Sequence, residues 1–127
     1  MSDRLLKIYF DGGCRPNPGA MELAVVVKGR AHIVRDLGRG SSLDAEWLAL
    51  IEALKIGQAL GATAFVLLGD AVSVVDQATG RAKCRGIGIA HHRRLLDRMP
   101  DGVPPRIRYI KRSQNLAGIA LAGLHDD

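Results

Sequence analysis

A mixed α/β fold built on one sheet is the expectation for this chain, and three observations carry it. From Leu5 to Leu37, short runs rich in valine, isoleucine and leucine are separated by turn residues, the pattern of an antiparallel meander. A long helical pattern then leads to Ala64-Phe65-Val66-Leu67-Leu68, a wholly apolar run that suits a strand covered on both faces. A helical crossover of that kind lets the new strand lie parallel to the first and beside it.

The elements follow in order. Residues 4–10 alternate as a strand. The stretch Gly12-Gly13-Cys14-Arg15-Pro16-Asn17-Pro18-Gly19 is dense in turn formers and reads as a loop outside any ladder. Glu22 to Lys28 is a valine-rich strand, Gly29-Arg30 a tight turn, and Ala31 to Leu37 the returning strand, with a loop from Gly38 to Ser42. Ser41-x-x-Asp44 resembles a capping box at a helix start. Trp47, Leu48, Ile51 and Leu54 keep helical spacing, and Gly61 stands where a helix ends. Val72 to Ala78 and residues 88–98 read as two further helices, Arg106 to Ile110 as an edge-type strand, and Asn115 to Leu124 as a last helix rich in alanine and leucine. The order is β-β-β-α-β-α-α-β-α. It fits one domain over residues 1–127, with no repeat or linker.

Composition narrows the function classes. The hydrophobic content of 47% excludes a disordered chain. Cys14 and Cys84 match no zinc or redox spacing and read as free thiols. No signal-peptide pattern opens the sequence and no apolar run approaches a membrane span, so a cytoplasmic protein without membrane contact is expected. The formal charge of +5 is concentrated: Arg81, Lys83, Arg85, Arg93, Arg94 and Arg98 lie together against Asp97 alone, leaving the rest of the chain balanced. Such a segment is either a solvated helix face or a surface for phosphates. His91 and His92 lie within it and are expected at the surface.

Three acids sit where chemistry would need them. Asp11 and Asp70 end the two apolar runs expected to lie side by side, and Glu46 lies one turn into the crossover helix. Ligands in such sheets gather at the carboxyl ends of strands. Three carboxylates brought to one spot repel one another unless cations lie between them, and hard oxygen donors suit Mg²⁺ or Mn²⁺. Each acid also has an ordinary reading: Asp11 as a turn residue, Glu46 as a first-turn acid, Asp70 as the cap of the next helix.

These residues also carry a resemblance. Asp11-Gly12-Gly13-Cys14-Arg15-Pro16-Asn17-Pro18-Gly19 resembles the D-G-[SG]-C-x-x-N-P-G opening of the ribonuclease H family. Ala45-Glu46, Gly69-Asp70-Ala71 and Gly80-Arg81-Ala82-Lys83-Cys84-Arg85 are similar to later family motifs at the expected spacing, the last to the short subgroup without a separate basic-handle helix. The resemblance implies a ribonuclease H-like fold: a five-stranded mixed sheet in the order 3-2-1-4-5, with helices on both faces. It implies Asp11, Glu46 and Asp70 as catalytic and metal-binding residues for Mg²⁺, with Mn²⁺ able to substitute. It places Cys14, Arg15, Asn17, Ser42, Arg81, Lys83 and Arg85 against an RNA–DNA hybrid or other nucleic acid.

The sequence also departs from the family. The final-helix pattern N-x-x-A-D-x-L-A is here Asn115-Leu116-Ala117-Gly118-Ile119-Ala120-Leu121-Ala122, so Ile119 replaces the fourth acid. His125, Asp126 and Asp127 are the nearby substitutes. Leu43 and Ala82 replace an asparagine and a tryptophan of the family pattern, and Lys111-Arg112-Ser113-Gln114 offers no histidine. Three readings stand: a two-metal endonuclease cutting the RNA strand of hybrids with weakened activity, a binding module that has lost its chemistry, and an unrelated small α/β protein that binds a partner.

Overall fold

The computed structural model describes residues 5–62, 64–99, 101 and 105–125. Its elements are β1 (Leu6–Arg15), β2 (Gly19–Val27), β3 (Arg30–Val34), β4 (Arg39–Gly40), α1 (Ser42–Ala59), β5 (Phe65–Gly69), α2 (Val72–Thr79), α3 (Ile87–Asp97), β6 (Arg106–Tyr109) and α4 (Leu116–Gly123), with a 3₁₀ turn at Arg112–Gln114. The strands form one sheet in the order β3-β2-β1-β5-β6, with β4 beside the start of β2. Pairing is antiparallel among β1, β2 and β3, and parallel from β1 to β5 and β5 to β6. This is the order expected, with β5 and β6 as the fourth and fifth strands.

Two expectations need correction. The Gly12 to Gly19 stretch is not a loop throughout. Gly12, Gly13, Cys14 and Arg15 continue β1, paired with Leu23, Glu22, Met21 and Ala20. Glycine weakens a strand without forbidding its backbone bonds, and here it has a use. A Cβ on Gly12 would stand 2.1 Å from the Ala45 carbonyl oxygen, so only glycine lets α1 approach this closely. The second correction is β4, a two-residue strand inside the expected Gly38–Ser42 loop.

Local signals explain the helices. Ser41 caps α1: its side chain accepts from Asp44 N–H, and the Asp44 carboxylate accepts from Ser41 N–H, completing the capping box. Gly61, at φ +66°, follows the helix's last residues. The main core lies between α1 and one sheet face, where Ile8, Phe10, Val25 and Leu67 pack on Trp47, Leu50, Leu54 and Leu95. Each large side chain buried there contributes roughly 1.5–3 kcal/mol. On the other face, α4 lays Ala117 and Leu121 on Ala24 and Val26. Small residues on that helix let it sit close to the sheet. No helix of the described residues is long and apolar enough to cross a membrane.

Candidate metal centre and cleft

Parallel pairing of β1 with β5 ends at Tyr9–Leu68. Beyond that point the two strands part. Asp11 lies inside β1 rather than at its end, while Asp70 directly follows β5. Glu46 reaches the gap from α1, and its Oε1 accepts from Gly12 N–H at 2.8 Å. Asp11, Glu46 and Asp70 each offer an oxygen within 4.8 Å of the others. The ordinary reading of Asp70 fails: α2 is capped at Ala71 with no side-chain bond.

Asn115 completes the floor. It is fully buried and caps α4, its Oδ1 accepting from Ala117 N–H. Its Nδ2 donates to the Phe10 carbonyl at 3.0 Å and to Asp70 Oδ2 at 2.9 Å. One side chain thus ties α4 to the middle of β1 and to the residue that follows β5, and orients one carboxylate.

The electrostatics show an uncompensated cluster. Burial, and then the charge of Asp70, push Asp11 up to about 7. Burial and the charge of Asp11 push Glu46 up to about 9. Arg112 opposes both shifts. Hard, crowded oxygen donors fit a divalent cation: Glu46 and Asp70 each commit one oxygen to a protein donor and keep another.

The carboxylates line a cleft of about 690 Å³, bordered also by Cys14, Arg15, Ser42, Leu43, Arg112, Gly118 and Ile119. Ile119 is 57% exposed, so it faces the cleft as an apolar rim and is not core. Among the described residues the cluster stops at three acids. His125 does not join it: its Nε2 lies 2.6 Å from Glu22 Oε2. Asp126 and Asp127 lie outside the described residues.

Of the expected nucleic-acid contacts, Cys14, Arg15 and Ser42 border this cleft. Asn17 donates to Ser42 Oγ and accepts from Ser42 N–H, both at 3.0 Å, and Cys14 Sγ lies 3.4 Å from Asn17 Oδ1. The β1–β2 turn is thereby pinned to the start of α1. Arg81, Lys83 and Arg85 are exposed on the segment between α2 and α3, away from the cleft. The basic segment is not one surface: Arg94 and Arg98 border a separate groove with Leu48 and Ile51. His91 is buried, not superficial. It stacks on Trp47 with ring centroids 6.0 Å apart and bonds Asp44 through Nε2 at 2.9 Å.

Two cleft residues escaped the sequence reading. Arg112 is the cation nearest in effect to Asp11 and Glu46, and its only sequence signal was its place before Asn115. Glu22 lies opposite Gly13, on the face of β2 that carries Ala24 opposite Asp11, so strand alternation puts it in the cleft. It is held by His125 and, at 3.6 Å, by Arg35.

Comparison with known proteins agrees with this architecture. A family described as reverse transcriptase-like matches residues 10–125. Ribonuclease HI of Halobacterium salinarum is 39% identical over 77 residues, 57% of this chain and 39% of that protein. The bifunctional protein Rv2228c of Mycobacterium tuberculosis is 36% identical over 84 residues, 61% of this chain and 23% of that protein. The aligned part thus spans well under half of these relatives. Among solved structures, RNase H1 from H. salinarum superposes with a TM-score of 0.76 at 29% identity, covering 98% of this chain and 100% of that one. LC11-RNase H1 in complex with RNA/DNA hybrid gives 0.75 at 25% identity, covering 91% and 92%. With the fold, the three-acid cluster and a match over nearly its whole length, the chain belongs to the ribonuclease H family.

Proposed function

We propose that this domain is a divalent-metal endonuclease that cuts the RNA strand of RNA–DNA hybrids, slowed by the isoleucine at position 119. The observation that carries the reading is the convergence of Asp11, Glu46 and Asp70 in an open cleft, where burial first and neighbouring charge second raise the proton affinities of Asp11 and Glu46. A Mg²⁺ or Mn²⁺ pair bound there would supply an activated water and charge stabilisation for the leaving oxygen.

The chain's own residues would do the rest. Asp11, within 4.8 Å of both other acids, would hold the cations together with Glu46 and Asp70. Glu46 is held in place by Gly12, and Asp70 by Asn115. Arg112, at the cleft wall, is placed to meet a phosphate. Arg15 and Ser42 border the same wall and would contact the sugar–phosphate edge of an A-like duplex, whose wide minor groove displays 2′-hydroxyls. Ile119 offers no oxygen, so one ion would depend on Asp11, water and substrate. Cleavage of a labelled hybrid across Mg²⁺ and Mn²⁺ titrations tests the proposal. No cleavage at any metal level, with hybrid still bound, favours the second reading, a binding module; the exposed Ile119 at the cleft rim is the observation in its favour.

The segment between α2 and α3 would share in binding. Replacing Arg81, Lys83 and Arg85 with glutamine is expected to weaken hybrid binding alike for all sequences. The slope of log K against log salt should fall by about 0.9 for each phosphate that the variant no longer neutralises. An unchanged slope would make these cations a solvated face.

A further inference from the structure

The sheet carries a second cationic surface outside the cleft. Side chains alternate across a strand, so the pairing registers assign faces. Ile8, Leu67 and Ile107 stand abreast and enter the main core. Their neighbours Lys7, Val66 and Arg106 form a row on the opposite face, and Tyr9, Leu68 and Arg108 form the next. Two residues further along β1 and its neighbour come Asp11 and Asp70. Both rows therefore lead toward the carboxylate cluster.

The α4 helix belongs to this face but packs mainly on β1 and β2. Beyond it, Val66 and Leu68 are still only 2% and 7% exposed. Lys7, Arg106 and Arg108 flank them in register and are exposed. None of these three cations ion-pairs with a described residue, whereas Arg35 and Lys55 each have an acidic partner. Neither row contains an acid. Lys28 borders the same hollow, of about 660 Å³, as Lys7 and Tyr9, and Arg112 stands at the cleft end.

We infer that this face binds the phosphodiester backbone of a single nucleic-acid strand running on from the cleft. Unneutralised cations in register are what a polyanion would neutralise with release of counterions. A two-residue step along β6 is about 6.6 Å, comparable to one sugar–phosphate repeat of an extended strand, so Arg106 and Arg108 can meet successive phosphates. A flat row suits a strand better than a duplex, whose phosphates turn away from a line. The inference rests on the nuclease reading for the point where the strand leaves the cleft.

The test compares a short labelled RNA–DNA hybrid with the same hybrid carrying single-stranded DNA extensions, by fluorescence anisotropy across a salt series in EDTA. The wild-type protein is expected to bind the extended probe with the steeper salt slope. The K7Q/R106Q/R108Q variant should lose that increment, about 0.7 for each neutralised phosphate and about 2 in all, and bind the short probe as the wild type does. R106K/R108K, which keeps the charge, should retain it. Equal wild-type slopes on both probes would overturn the inference, and with it favour an acidic protein segment as occupant. So would a triple variant with the wild-type slope, or a lysine variant that loses as much as the glutamine one. Metal-dependent cleavage of the short hybrid, followed in parallel, separates the two claims. Cleavage without the increment sinks this inference alone, and the increment without cleavage sinks the nuclease reading alone.

Discussion

Asp11→Asn is expected to abolish metal-dependent hybrid cleavage, by at least ~10³-fold, while leaving hybrid binding and the fold intact. An amide keeps the side chain's shape and loses the charge that would hold two cations. Asp11 faces Glu46 and Asp70 across less than 4.8 Å, so no neighbouring oxygen replaces it without moving an element. The same change should stabilise the metal-free protein above pH 7 by roughly 1–2 kcal/mol, because it removes a carboxylate whose charged form is disfavoured by burial and by Asp70.

The pH dependence has a definite sign. Asp11 and Glu46 have folded-state values of about 7 and about 9, raised from 3.8 and 4.5. Between those limits the folded chain holds protons that the unfolded chain has released. Metal-free stability should therefore be greatest below the unfolded values, fall as pH rises toward 7, and fall further toward 9. Mg²⁺ binds the charged form and should reverse the decline. Melting curves of wild type and Asp11→Asn, with and without Mg²⁺, across this range read both effects. Near-wild-type turnover in the variant would end the nuclease assignment. A wild-type melting temperature flat across the range would mean that the carboxylates do not confront one another.

Ile119→Asp is expected to work in the opposite direction. Ile119 sits on α4 one turn after Asn115, its N–H bonded to the Asn115 carbonyl at 3.1 Å. The preceding residue, Gly118, would place a Cβ 3.5 Å from Asp11 Oδ2, so this part of the helix overlooks the cluster. An aspartate there adds a ligand on the side where the described residues supply none. The Mg²⁺ concentration needed for half-maximal cleavage should fall about tenfold or more, and the rate at limiting Mg²⁺ should rise. The isoleucine is more than half exposed, so little packing is lost, and the stability cost should come from a fourth negative charge. It should vanish on adding metal. A variant equally destabilised at all metal levels, with no gain in activity, would mean that position 119 does not address the cations.

The sequence was most informative where residue chemistry is local. The capping box at Ser41 and Asp44 and the helix end at Gly61 each depend on near neighbours, and all formed as expected. The parallel placement of β5 beside β1 followed from a single crossover rule. What stayed hidden depends on contacts made far along the chain. The extension of β1 through Gly12 and Gly13 is set by α1 pressing on it from 34 residues away, a bond no turn propensity encodes. The burial of His91 depends on Trp47 and Asp44, in a different helix. Glu22 was legible from strand alternation once its register with β1 was known, whereas Arg112 needed the chain's path after β6.

Asp44, half of the cap that opens α1, is also the partner of His91. Burial pushes its pKa up, while the bonds from His91 and Ser41 outweigh that push and leave it lowered. One carboxylate therefore fastens three things: the first turn of α1, the strand that enters it, and the middle of α3. Two residues further on is Glu46. The helix that follows the Arg81–Arg85 segment and the helix that carries Glu46 are bolted at a shared corner, with the Trp47 ring as the washer between them. A duplex gripped at the basic segment would meet a cleft whose distance from that grip is already set before it arrives. Spacing along the nucleic acid, and not induced closure, would then choose which phosphate reaches the acids.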